Sequence, residues 1–207
     1  MGVIPDFVGV LCHDHWKPYF NYGCIHALCN AHHLRELQRV VEQDKQQWAQ
    51  DMIDMLLKIK KEVDDYGGKL PPDQSDLYRK AYRKIIKKAQ TECPPPDESK
   101  RTKGQRGRLK RTKARNLLER MTNFENEILR FMDDPLVPFT NNRGENDIRM
   151  TKVHQKISGC FRSMDGALIF SRIRSYLSTC RKNNIHASEA LYCLLNGKLP
   201  VFLNSAE

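Results

Sequence analysis

Hydrophobic spacing changes along this chain, and each change predicts a different element. Residues 7–12 are apolar apart from Gly9, which predicts a short buried strand that the chain leaves at His13-Asp14-His15. Residues 16–22 suffice for one or two helical turns before Gly23, and residues 24–29 form a second apolar run of strand length. Two strands joined by a helical crossover predict a parallel pair. Ligands gather at the carboxyl ends of such strands, where Asp14 and His32 fall.

From His33 the apolar positions recur at three and four. Leu34, Leu37, Val40 and Val41, then Trp48, Met52, Met55, Leu56, Ile59 and Val63, predict one long or two consecutive amphipathic helices ending at Tyr66-Gly67-Gly68. Leu77, Tyr78, Ala81, Tyr82, Ile85 and Ile86 predict another helix after Pro71-Pro72, closed by Cys93-Pro94. Leu117, Leu118, Met121, Phe124, Ile128 and Phe131 predict a third, closed at Asp134-Pro135. The last third predicts a helix around Glu145, a loop at residues 158–161, a strongly apolar helix through residues 167–180 and a short helix over residues 188–196. The fold class is therefore α/β and helix-rich. The expected organisation is a partial sheet region at residues 1–35, a helical insertion at 36–135 with a basic loop at 100–115, and C-terminal helices at 136–207 that complete the first part.

Composition sharpens this picture in one place. The 207 residues carry a net charge of +10, and nine Lys or Arg with no acid fall between Lys100 and Arg115, leaving 26 basic against 25 acidic residues elsewhere. The basicity is thus one local patch. Lys100, Arg101, Lys103, Arg106, Arg108, Lys110, Arg111, Lys113 and Arg115 suit a polyanion bound through its backbone by counterion release, although a solvated loop has the same composition. Seven scattered cysteines suit free thiols in a reducing cytoplasm better than a disulfide framework. No apolar run approaches the roughly 18 residues of a membrane span, so no membrane partner is expected.

Three groups of residues carry candidate chemistry. Asp14 at a strand end and Glu145 in the first turn of a helix are hard oxygen ligands suited to Mg²⁺ or Mn²⁺ beside a phosphate; a turn aspartate and an ordinary helix-capping glutamate fit the same positions. Asn141, Asn142, Arg143, Arg149, Lys152, Lys156 and Arg162 surround Glu145 and could hold DNA there, or pair on a helix surface. Cys24, His26, Cys29, His32 and His33 offer two thiolates and three imidazoles within ten residues, a zinc alternative whose spacing departs from the two separated knuckles of structural sites.

Together these residues resemble the transposases of the bacterial insertion sequence 66 family, which carry an Asp-Asp-Glu catalytic domain of ribonuclease H-like fold. The resemblance is carried by Leu11-Cys12-His13-Asp14-His15-Trp16 with Pro18-Tyr19, by Cys29-Asn30-Ala31-His32-His33-Leu34-Arg35-Glu36-Leu37, and by Asn141-Asn142-Arg143-Gly144-Glu145-Asn146-Asp147-Ile148-Arg149 running on to Lys156-Ile157-Ser158-Gly159-Cys160-Phe161-Arg162-Ser163. It implies that Asp14 and Glu145 are the second and third catalytic acids and metal ligands, that His32 and Arg149 orient phosphate or water, and that the helical insertion lies between the acids. DNA ends and target DNA are the implied partners, in metal-dependent strand cleavage and transfer.

One departure accompanies the matches. The family's first Asp belongs on an opening strand followed by two more strands and a helix, and only 13 residues precede Asp14; Asp6, in a Pro-Asp-Phe turn, is a poor substitute. The expectation is an N-terminally truncated catalytic domain with about two parallel strands, binding Mg²⁺ or Mn²⁺ weakly and inactive alone. An inactive DNA-binding remnant that modulates an intact transposase, or pairs with the missing N-terminal part, is the alternative.

Overall fold

The structure is a computed structural model that describes residues 6–97, 99, 107 and 109–204. The sheet, among the described residues, has two parallel strands, β1 (Val10–His13) and β2 (Ile25–Leu28), with Val10 opposite Ile25 and His13 opposite Leu28. A short 3-10 turn, Lys17–Asn21, makes the crossover. The first strand begins three residues later than its apolar run and extends one residue past Cys12. Pairing explains both ends: the Ile25 amide donates to the Gly9 carbonyl and the Cys29 amide to the His13 carbonyl, whereas Val8, without a neighbouring strand, stays 91% exposed.

Helix α1 (Asn30–Arg39) passes through a π-helical turn, Val40–Asp44, and a left-handed Lys45 into α2 (Gln47–Asp65). A Schellman closure ends α2, with the Gly67 amide donating to Asp64 and the Gly68 amide to Val63; φ values of 75° and 118° explain why glycines stand there. Helix α3 (Pro72–Glu92) opens on a proline, whose missing amide hydrogen has no helical partner to lose. Thr112 caps α4 (Lys113–Asn123) by accepting the Arg115 amide hydrogen at 3.1 Å.

The single helix expected over residues 117–131 is broken. At Phe124 the backbone leaves helical geometry before α5 (Glu125–Leu129), and the phenyl ring packs on His15 and Phe20 at centroid distances of 4.6 and 5.0 Å. Packing against the strand crossover thus overrides the local period.

Backbone packing divides the chain into two compact units, one ending at Asn141 and one beginning at Asn142. In the first unit Leu37, Trp48, Met52, Leu56, Ile59, Tyr82, Leu118, Met121 and Ile128 are fully buried. The strand residues Ala27 and Leu28 belong to this same core, so the sheet shares its interior with the helices of the expected insertion. Two polar links tie them: Asn30 Nδ2 donates to the Ile128 carbonyl at 3.0 Å, and Arg130 Nε donates to the His26 carbonyl at 2.9 Å.

The second unit contains α6 (Asn142–Ser158), α7 (Met164–Lys182), α8 (Ala187–Leu195) and α9 (Val201–Asn204). Ser163 caps α7 by accepting the Gly166 amide hydrogen at 3.0 Å, and Arg181 and Lys182 complement the far end of its dipole. His154 stacks on Phe161 with centroids 4.4 Å apart, and Tyr176 donates to the Ala190 carbonyl at 2.7 Å. The short α9 lies beyond the last predicted helix. No described helix is long and apolar enough to cross a membrane.

Candidate active site

Asp14 stands immediately after β1, at the carboxyl end of the parallel pair. Its Oδ1 accepts the Trp16 amide hydrogen at 3.2 Å, an Asx turn that orients the carboxylate, and Oδ2 enters no hydrogen bond among the described residues. The exposed carboxylate thus retains a hard oxygen suited to a divalent cation.

A directional histidine relay fixes this turn. His26 Nε2 lies 3.2 Å from the Tyr22 carbonyl, which can only accept, so His26 carries its proton on Nε2 and presents Nδ1 as an acceptor. His13 Nε2, 3.2 Å from His26 Nδ1, must then donate, and His13 Nδ1 accepts the amide hydrogen of His15 at 3.2 Å. His15 adopts the left-handed conformation, φ 71°, that brings its amide to that ring. Both His13 and His26 are neutral in this arrangement. Burial, then the neighbouring His26, lowers the His13 pKa to about 4, which keeps the acceptor nitrogen available.

At the carboxyl end of β2, Cys29 is buried and its Sγ accepts the Asn141 amide hydrogen at 3.1 Å, while the Asn30 amide donates to Phe139 at 3.0 Å. The segment before α6 is therefore anchored beside this strand end. His32 lies half-buried in the first turn of α1, and the buried His33 donates through Nδ1 to Asn30 Oδ1 at 3.2 Å. Burial, reinforced by Arg120, lowers the His33 pKa to about 3. Burial, with Cys29 nearby, raises the Cys12 thiol to about 12, so Cys12 is an unreactive thiol.

The remaining candidate residues have varied surroundings. Glu145 is half-buried in the first turn of α6; Asn142, Arg143, Arg149, Lys152 and Lys156 are exposed on the same helix, and Arg162 is exposed in the following turn. Asn141 is committed through its backbone to Cys29. Lys100, Arg101, Lys103, Arg106 and Arg108 lie outside the described residues. Lys110 and Lys113 are exposed, whereas Arg111 pairs with Glu119. Arg115 is drawn further inward: its guanidinium donates to Glu119 at 3.0 Å, Gln90 at 2.5 Å and the Cys93 carbonyl at 2.8 Å, clamping the end of α3 to the start of α4. For the zinc alternative, both His26 nitrogens are occupied by hydrogen bonds. Asp14, Cys24 and His26 join no cluster of three metal-ligating side chains among the described residues.

In the sequence His26 stands out only as a member of the zinc alternative, and His13 only as a neighbour of Asp14. The alternation of His13, His15 and an aspartate at a strand end signals a shaped turn, but the partnership across thirteen residues depends on strand register.

The uncharacterized protein y4jO of Sinorhizobium fredii (strain NBRC 101917 / NGR234) is similar to this chain, with 26% identity over 159 residues, 76% of this chain and 44% of that protein. The chain therefore spans less than half the length of that relative. No solved structure matches it. Residues 2–168 match the model of the transposase IS66 family, a stretch that includes the strand-end aspartate, the α1 histidines and the Glu145 helix. The chain belongs to the IS66 transposase family.

Proposed function

We propose that this chain contributes two carboxylates, Asp14 and Glu145, to a metal-dependent DNA strand-cleavage and strand-transfer site in a ribonuclease H-like domain. The observation that carries the reading is the position of Asp14: an acid inside the stretch that matches the family, directly after a parallel strand, with its carboxylate oriented by the Trp16 amide. Glu145 follows four residues after Asn141, the residue whose amide is held at Cys29.

Mg²⁺ or Mn²⁺, when bound, would lower the charge on the scissile phosphate and on the attacking and leaving oxygens. The Asp14 and Glu145 carboxylates would hold the ion, His32 would orient water or phosphate, and Arg149 would offer bidentate hydrogen bonds to a phosphate oxygen pair. The histidine relay holds Asp14 in its turn without adding positive charge. The DNA backbone is bound by Arg143, Lys152, Lys156 and Arg162 around Glu145, and by Lys110, Lys113 and the basic residues 100–108 that precede them. Arg111 and Arg115 contribute mainly by holding α4 in place. The domain reading keeps residues 1–35 and 136–207 as the catalytic part, with residues 36–135 inserted between its acids.

The test is Mn²⁺ binding to the 207-residue protein, followed by electron paramagnetic resonance. Asp14→Asn and Glu145→Gln should each weaken binding at least about tenfold, the effect of removing one anionic ligand near a divalent ion. Equal binding by both variants and the parent would overturn the metal site. Duplex binding that persists with no Asp14-dependent metal site would favour the modulator of an intact transposase.

A further inference from the structure

A cleft between α6 and α7 lies within the second unit. One cavity of about 490 Å³ is lined by Arg174, Arg181, His186 and Asn184, and another of about 570 Å³ by Lys152, Thr151, Ser171 and Ser175. Asp147, Arg174 and Ser178 line both. Among the described residues that line either wall Asp147 is the one acid, and it is already neutralised: the Ser178 hydroxyl and the Lys182 ammonium both donate to it. Burial raises the Asp147 pKa, but these donors outweigh it and hold the carboxyl below its usual range.

Arg181 adds its positive charge to the groups that hold the Asp147 carboxyl down, without joining it in an ion pair. Neither Arg174 nor Arg181 forms an ion pair among the described residues, and Arg174 Nε is shielded from water with no hydrogen-bond acceptor. A guanidinium N–H enclosed without an acceptor is costly, and an anion entering the cleft would supply one. The Ser171 and Ser175 hydroxyls of α7 and the Thr151 hydroxyl of α6 add neutral donors of the kind that line phosphate-binding surfaces. Arg174 and Arg181 are two helical turns apart on α7, about 10 Å along the axis, which suits two separate phosphates of a polyanion backbone better than one isolated ion. Most of these residues lie beyond position 168, past the part of the chain that matches the family.

We infer that the α6–α7 cleft is a second nucleic-acid site, in which Arg174 and Arg181 bind separate phosphates of a DNA backbone without reading its sequence. The inference rests on the proposal that this protein binds DNA. Fluorescence anisotropy of the full chain with a labelled 30-base-pair duplex, across a salt series, tests it. The double variant Arg174→Gln/Arg181→Gln should lose about tenfold affinity per arginine near 0.1 M salt and lower the slope of log affinity against log salt by about 2. Arg174→Lys/Arg181→Lys should retain most of that slope. If the glutamine variant does not fold, Ser171→Glu/Ser175→Glu places negative charge in the cleft from two exposed positions and should weaken binding comparably. Parent protein that binds no duplex overturns both this site and the DNA-binding proposal. Parent protein that binds, with cleft variants of unchanged slope, overturns the cleft alone and leaves the other basic residues in place. Equal competition by polyglutamate of matched charge would overturn nucleic acid in favour of an acidic protein partner.

Discussion

The two units of this chain use apolar residues in opposite ways. In the first, α1 to α5 turn continuous apolar stripes inward, and Trp48, Tyr82 and Leu118 are fully buried. In the second, the buried hydrophobic side chains among the described residues are Cys180 and Ala190, while Ile148, Ile157, Leu168, Ile169, Ile173 and Leu195 are at least 43% exposed. The difference follows from pattern. Cations at Arg149, Lys152 and Lys156 interrupt any apolar stripe on α6, and α7 is apolar around much of its circumference, so one partner helix cannot cover it. The first unit is held by a core; the second is held by specific links such as Tyr176 to Ala190 and Asp147 to Lys182.

Substitution tests this contrast most strongly. Trp48→Ala should cost about 3–5 kcal/mol through lost burial and a residual cavity, measured by urea unfolding, whereas Ile173→Ala should cost about 1 kcal/mol or less. Equal losses would mean that the second unit has a core after all. Acid should act next, and on the first unit. His13 and His33 have folded pKa values of about 4 and about 3, below the ordinary 6.5. Their contribution is therefore fully present well above pH 6.5 and declines as pH falls, by at most roughly 2 kcal/mol for each histidine between pH 7.5 and 5. Unfolding curves at pH 7.5 and 5 measure it, and unchanged stability would mean that neither ring stays neutral. Asn30→Ala follows, with an expected cost of about 1–3 kcal/mol, because the Ile128 carbonyl and the His33 ring lose a buried partner. The smallest effect belongs to Ser163→Ala, which should cost about 1 kcal/mol and speed amide exchange in the first turn of α7 while leaving α2 protected. Faster exchange in α2 would show that the two units unfold together.

Much of the framework was legible in sequence because local rules and packing agree there. The 3.6 period, the Gly67-Gly68 closure, the Pro72 start and the apolar strand runs each name an element that the structure contains. Disagreement marks long-range packing: β1 is shifted by its pairing with β2, and the helix expected through Phe124 breaks where that ring meets His15 and Phe20. The site divides in the same way. Asp14 announces itself by residue type at a strand end. The dependence of its turn on His13, His26 and the Tyr22 carbonyl does not, since a thirteen-residue separation becomes contact only through parallel register. Composition likewise found the basic run but not the second role of Arg115, whose guanidinium is enclosed by Glu119, Gln90 and Cys93.

By itself the sequence determined most of the elements, the parallel strand pair, the family and the acids worth testing, because these depend on spacing and residue chemistry along one short stretch at a time. Tertiary structure decided which cations are committed to internal pairs, which histidines are neutral donors or acceptors, and that Arg174 and Arg181 line a cleft where Asp147, already paired, is the one acid among the described residues. Those outcomes depend on distances between residues far apart in the chain, and burial strengthens or removes a charge only after the fold has set those distances.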